Sequence, residues 1–132
     1  MAYEISNYSV KVTLVAGADL SALQYTFVKL NSSGEAVAVA AATDVPIGVL
    51  QNAPTSGQEA EVLVVGGTKL VASQSATLGT ALNLGTTSSG RAATLAVSDT
   101  TKYVLGVYVT APGGNGEICT AIINCANPTR AI

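Results

Sequence analysis

The sequence predicts an all-β domain assembled from two similar β units, on three observations. Short runs rich in Val, Ile, Thr and Tyr alternate with clusters of Gly, Pro, Asn and Ser. Two polar turn sequences ending in Gly, Asn31-Ser32-Ser33-Gly34 and Thr87-Ser88-Ser89-Gly90, stand 56 residues apart. An apolar-Gly-Val strand also recurs, at an offset of 58. The 132 residues can bury about two thirds of their unfolded surface in one core and are too few for two ordinary ones. A single-domain β-barrel or β-sandwich follows, a β-tulip-like arrangement included, with at most one short helix.

Taken in order, residues 1–16 form an N-terminal arm and a first strand, and residues 17–132 form the body. Strands are expected over 8–15, 25–30, 46–51, 61–65, 69–72, 103–110 and 117–124. The Ala-rich segments 36–42 and 92–97 have helical propensity, yet Val37 and Val39 alternate with Ala and a turn precedes each segment, so both read as strands. Both Ser-Ser-Gly turns should be tight reversals, because Gly accepts the positive φ that closes them. The one place for a helical turn is 19–24, where Asp19 can cap Leu20-Ser21-Ala22-Leu23.

Ile47-Gly48-Val49-Leu50-Gln51-Asn52-Ala53-Pro54 aligns with Leu105-Gly106-Val107-Tyr108-Val109-Thr110-Ala111-Pro112, and at that offset Glu59 meets Glu117. Each Ser-Ser-Gly turn is followed by an Ala-rich strand and then by Asp44 or Asp99. The body is thus expected to hold an internal repeat, about 17–66 and 79–124. Two copies are too few for a solenoid, so a body with approximate internal symmetry is expected. Gly48 and Gly106 lie inside strands, where Gly marks a bulge or a close backbone approach, and a bend needed for closure is expected at both.

Composition narrows the function. Six Lys and Arg against eight Asp and Glu leave a net charge of −2, which lacks the attraction that drives nucleic-acid binding. There is no His, the side chain most used as a general base near neutral pH and as a metal ligand. Glu4 stands where a secretory signal carries basic residues, so use without export is expected. The longest apolar run, 36–42, is far below the roughly 20 residues of a membrane span, so a soluble protein with no membrane partner is expected.

Candidate chemistry is weak throughout. Glu59 and Glu61 share a strand face about 7 Å apart, but a glycosidase pair faces across a cleft from separate elements. Lys69 with Ser73 and Ser75 lacks the Ser-x-x-Lys spacing and the strand-to-helix elbow of a hydrolase. Pro112-Gly113-Gly114-Asn115-Gly116 leads into a β run rather than the helix N-terminus of a phosphate cradle. Cys119 and Cys125 have no partners for a metal site, and on one strand lie about 20 Å apart on the same face, so they read as buried reduced thiols. No enzyme activity, cofactor or metal is expected.

Only 11% of residues are charged, while Ala, Val, Thr, Gly and Ser fill 76 of the 132 positions. Such a surface resists association poorly and suits a subunit packed against protein. Tyr3, Ile5 and Tyr8 lie ahead of or at the start of the first strand, where a core role is least assured, and are the candidate contact residues of an arm that orders on a partner. A carbohydrate-binding module would need an aromatic platform, which the absence of Trp and a single Phe disfavour.

Several segments in order resemble the capsid-cement (head decoration) proteins of tailed bacteriophages. They are Gly17-Ala18-Asp19, Phe27-Val28-Lys29-Leu30 with its Asn31–Gly34 turn, Pro46-Ile47-Gly48-Val49-Leu50 with Pro54 and Gly57, a Gly66-Gly67-Thr68-Lys69-Leu70-Val71-Ala72 hairpin, and Leu105-Gly106-Val107 with Gly116-Glu117. The resemblance covers about residues 17–124; Gly57-Gln58-Glu59 departs from the family's more usual Gly-Glu. It implies a β-rich protein made in the host bacterium that adds to the outer surface of the assembled head. There it would bind the major capsid protein and bridge its subunits, as a homo-oligomer with a trimer favoured. A tail or fibre-base subunit of the virion suits the composition nearly as well.

Overall fold

The computed structural model describes residues 9–78, 83–96 and 98–130. Strand-forming runs become β1 (Val10–Val15), β2 (Phe27–Leu30), β3 (Ala36–Ala38), β4 (Gly48–Leu50), β5 (Glu59–Val71), β6 (Asn83–Thr86), β7 (Ala92–Leu95), β8 (Tyr103–Val104), β9 (Gly106–Tyr108), β10 (Ile118–Asn124) and β11 (Thr129–Arg130). Nine of them curl into an antiparallel half-barrel in the order β3-β2-β4-β5-β10-β9-β6-β7, with β1 also on β5. β8 and β11 form a separate two-stranded ladder. The all-β expectation therefore holds, and the described residues contain no helix.

In place of the expected helical turn, the chain makes two successive tight turns, with the Leu23 N–H donating to Leu20 O and the Thr26 N–H to Leu23 O. Asp19 still acts locally, since its Oδ1 accepts from the Ser21 N–H at 3.0 Å. Strand β2 begins later than the expected 25–30 run because Tyr25 sits at φ 64, a left-handed conformation outside strand geometry. The expected hairpin at 66–72 does not form. Instead of separate strands over 61–65 and 69–72, β5 runs through Gly66 and Gly67 for 13 residues. At Gly66, φ 134, the strand exchanges one partner for another, pairing with β1 up to Val65 and with β10 from there to Val71.

That exchange exposes the internal logic. β1 pairs with the first half of β5, which pairs with β4, then β2, then β3; the second half of β5 pairs with β10, then β9, β6 and β7. The same contacts recur. Ala16 bridges Ala36, and Ala72 bridges Ala92. The Ala16 N–H donates to Gln58 O and the Ala72 N–H to Glu117 O, each at 2.8 Å. The Leu20 N–H reaches Pro54 O, as the Ala76 N–H reaches Pro112 O. One repeat thus opens with β1 and the next with the second half of β5, earlier than the boundaries expected at 17 and 79. Glu117 takes the place of Gln58 rather than Glu59, because the loop ending at Gly116 is one residue longer than the loop ending at Gly57.

Local devices repeat as well. Gly34 and Gly90 close their turns at φ 79 and φ 80, each N–H donating back to residue 31 or 87 at 3.1 Å. In the first repeat the Asp44 carboxylate accepts from Lys29 Nζ and the N–H groups of Ala40 and Ala41. In the second, Asp99 accepts from the Thr101 N–H and pairs with Lys102. Two glycines permit strands to touch: a Cβ on Gly48 would overlap the Leu63 carbonyl oxygen, and one on Gly106 the Ile122 carbonyl oxygen. Both glycines thus mark a close backbone approach.

The core divides in two. Val28, Ala36, Leu50, Ala60 and Val62 form the inner face of the first repeat with Ala16 and Leu20. Leu70, Leu84, Leu105, Cys119, Ala121 and Ile123 line the inner face of the second, and this face packs onto Phe27, Val39, Val49 and Leu63 on the outer face of the first.

Gly106→Ala and Gly48→Ala should each lower stability by about 1–3 kcal/mol, since backbone rather than a movable side chain blocks the new methyl, whereas Gly67→Ala, with open space around it, should stay within about 0.5 kcal/mol. Urea unfolding checks this. Hydrogen bonding from Lys29 and two backbone amides holds the Asp44 carboxyl down at about 2, below its ordinary 3.8. A depressed carboxyl stabilises the fold above its unfolded value and loses that effect as pH falls through the folded one. The urea midpoints of wild type and Asp44→Asn should therefore differ at neutral pH and converge between about pH 4 and pH 2.

Candidate interaction surface

None of the sequence's chemical candidates assembles a reaction centre. Glu59 and Glu61 lie exposed on the outer side of β5, opposite Val15 and Thr13. Asn52 ties down the backbone beneath them, accepting from the Glu61 N–H and donating to Glu59 O. Lys69 lies 5.7 Å from the Tyr25 ring centroid, a cation–π contact, and the Ser73 hydroxyl donates to Ala92 O at 2.7 Å. Nothing there resembles a Ser–Lys pair. The Gly-rich loop closes on itself, with the Gly113 N–H donating to Glu117 Oε2 at 2.7 Å and Gly116 at φ 87. Among the described residues no group of three or more His, Cys, Asp and Glu could hold a metal, and no helix is long and apolar enough to cross a membrane.

Both cysteines are free and buried. They share the inner side of β10 and its continuation with Ala121 and Ile123, and the Cys119 thiol donates to Leu70 O at 3.3 Å. Burial raises both thiols, Cys125 to about 12, because a thiolate there would lose its hydration. Tyr3, Ile5 and Tyr8, the candidate contact residues, lie outside the described residues.

A different surface carries the apolar character, one that sequence reasoning does not single out. Strict alternation along β10 sends Cys119, Ala121 and Ile123 inward and Ile118, Thr120 and Ile122 outward. Ile122 lies beside Val107 on β9, and the Val109 N–H donates to Thr120 O. Ile118 and Ile122 are 57% and 54% exposed, Val107 and Val109 50% and 46%. Lys69 and Gly67 of β5 face Thr120 and Ile122 on the other side. The result is a contiguous apolar face across two strands, bordered on β5 by Lys69. Exposed apolar surface of this kind makes it the candidate interaction surface. The signal available in the sequence is that both sides of 117–124 are apolar, as in a strand covered on both faces.

No protein-family model and no curated protein matches the chain. Its fold is similar to the N base of the head fiber protein gp8.5 of bacteriophage phi29, in a crystal structure. The TM-score is 0.65 at 20% identity, over 89% of this chain and 96% of that one. The two share a fold.

With both thiols buried, a chromogenic disulfide reagent at about pH 8 should leave Cys119 and Cys125 unmodified in the native protein and titrate both after unfolding in guanidinium. Rapid native labelling of Cys125 would contradict the packing described.

Proposed function

We propose that this chain is a structural subunit of a phage virion that acts by binding protein rather than by converting a molecule. The observation that carries this is the fold shared with a phage head fiber base over nearly the whole of both chains. The sparse charge and the apolar face on β9 and β10 support it independently. The finer reading is decoration of the head: the protein binds the outer surface of the assembled capsid and bridges major capsid protein subunits. A subunit that touches two capsid subunits at once, and only in the assembled shell, stabilises that shell by linkage and multivalency with no covalent step. The base of a longer head fibre is the second reading, favoured by the description of the structural neighbour itself.

Mixing the purified protein with expanded and unexpanded heads should give selective co-sedimentation with the expanded ones, and electron microscopy of the native particle should show knobs on the head. Fibres rising from those knobs would favour the second reading, and density confined to the tail would refute both. Because the contact is proposed to be apolar, occupancy should survive about 0.5 M NaCl, where surface ion pairs are screened within about 4 Å. Deleting residues 2–7, with Tyr3 and Ile5, should reduce occupancy more than it reduces the urea midpoint; unchanged occupancy removes the arm from the contact.

A further inference from the structure

Equivalent positions in the two repeats have very different surroundings. In the first repeat Val49 and Leu63 are cross-strand neighbours on the outer face, with 0% and 3% exposure, covered by the inner face of the second repeat. In the second repeat Val107 and Ile122 are the corresponding neighbours, at 50% and 54%, with no described element packed over them. Asn83 stands where the first repeat has Phe27, but around Val107 and Ile122 exposure has not made that face more polar. Where the first repeat has Gln51 and Glu59, the second has the more apolar Val109 and Ile118.

The inner faces show the reverse inequality. Leu70 and Leu105 are buried in the second repeat, at 0% and 1%, because the outer face of the first repeat completes their packing. Their counterparts Leu14 and Ile47 are only partly buried. The turns differ in the same sense. Gly90 is buried and accepts from the Phe27 N–H at 2.8 Å across the junction between the repeats. Gly34, at the same turn position, is exposed with nothing within 4 Å of its Cβ direction. One junction is therefore complete inside the chain, and the two repeats carry its unmatched sides outward.

We infer that a second copy of this chain covers those unmatched sides head to tail. The outer face of one copy's second repeat (Val107, Val109, Ile118, Ile122) takes the inner face of the next copy's first repeat (Leu14, Ile47), with its Asn31–Gly34 turn at the rim. The contact is heterologous, so repeating it closes a ring or extends a filament. This inference stands on the two repeats and not on the virion reading.

Sedimentation velocity on the full chain, with no capsids present, tests it. Wild type should be oligomeric at micromolar concentration. Val107→Glu and Ile122→Glu should raise the dissociation constant by about 30-fold or more while leaving the circular dichroism unchanged. Val15→Lys, an exposed apolar site beside Glu59 on the outer face of the first repeat, should leave the oligomer intact. Leu14→Gln, or Ile47→Gln should the first variant unfold, should also dissociate the oligomer, and mixing it with Ile122→Glu should restore a one-to-one pair through the single intact junction. A monomeric wild type overturns the inference, as does an inner-face variant that folds and still assembles. Head binding is scored separately. A monomer that loses head binding on Ile122→Glu would assign the face to the capsid, ending this inference and leaving the capsid reading; an intact oligomer with no affinity for any phage particle would do the opposite.

Discussion

Backbone pairing along β5 is the constraint on which the remaining structure depends. Its first half closes one repeat against β1 and β4, and its second half opens the next against β10. A single 13-residue strand therefore takes part in the pairing of both repeats. The partner exchange falls at Gly66, where φ 134 is costly for other residues and open to glycine. Because both neighbours lie antiparallel to β5, the twist it accumulates sets the curl of the whole half-barrel.

On that frame, small residues and glycines allow layers to approach. Ala16, Ala36, Ala60, Ala72, Ala92 and Ala121 sit at or near zero exposure, so the bulk of the core comes from Leu, Val, Ile and Phe27 pressed against alanine. The inner face of the second repeat against the outer face of the first is the larger of the two clusters, and hydrogen bonds reinforce the junction. Gln51 Nε2 donates to Thr68 Oγ1 at 2.9 Å, and the Val71 N–H donates to Tyr25 O at 2.9 Å. The same economy leaves few charges in the chain and an apolar face exposed on β9 and β10.

Much of this is legible in the residue order. The two Gly turns, the Gly48 and Gly106 approaches, the inward Cys119-Ala121-Ile123 stripe and the Ile47 to Pro54 correspondence with Leu105 to Pro112 all rest on short-range rules: positive φ, missing Cβ atoms and a period of two. The strands expected over 8–15 and 69–72 are present, but that they open the two repeats escapes those rules, although Leu14-Val15-Ala16 matches Leu70-Val71-Ala72. The Gly pair at 66–67 suggests a break there, and only the pairing of Gly66 with Ile123 and Gly67 with Ile122 carries the strand across. β6 and β11 go unseen in the sequence because their runs are short and their partners lie far along the chain.

An all-β chain, its duplication and its poverty in catalytic groups are set by residue order alone, because each is a property of local pattern or composition. Which face of each repeat is covered is settled only when the repeats pack. Val49 and Val107 are the same residue in the same Gly-Val context, yet one is sealed and the other half exposed. The difference comes from the second repeat having the first to lie upon while nothing within the described chain lies upon the second, and a strand apolar on both sides does not say which element covers it.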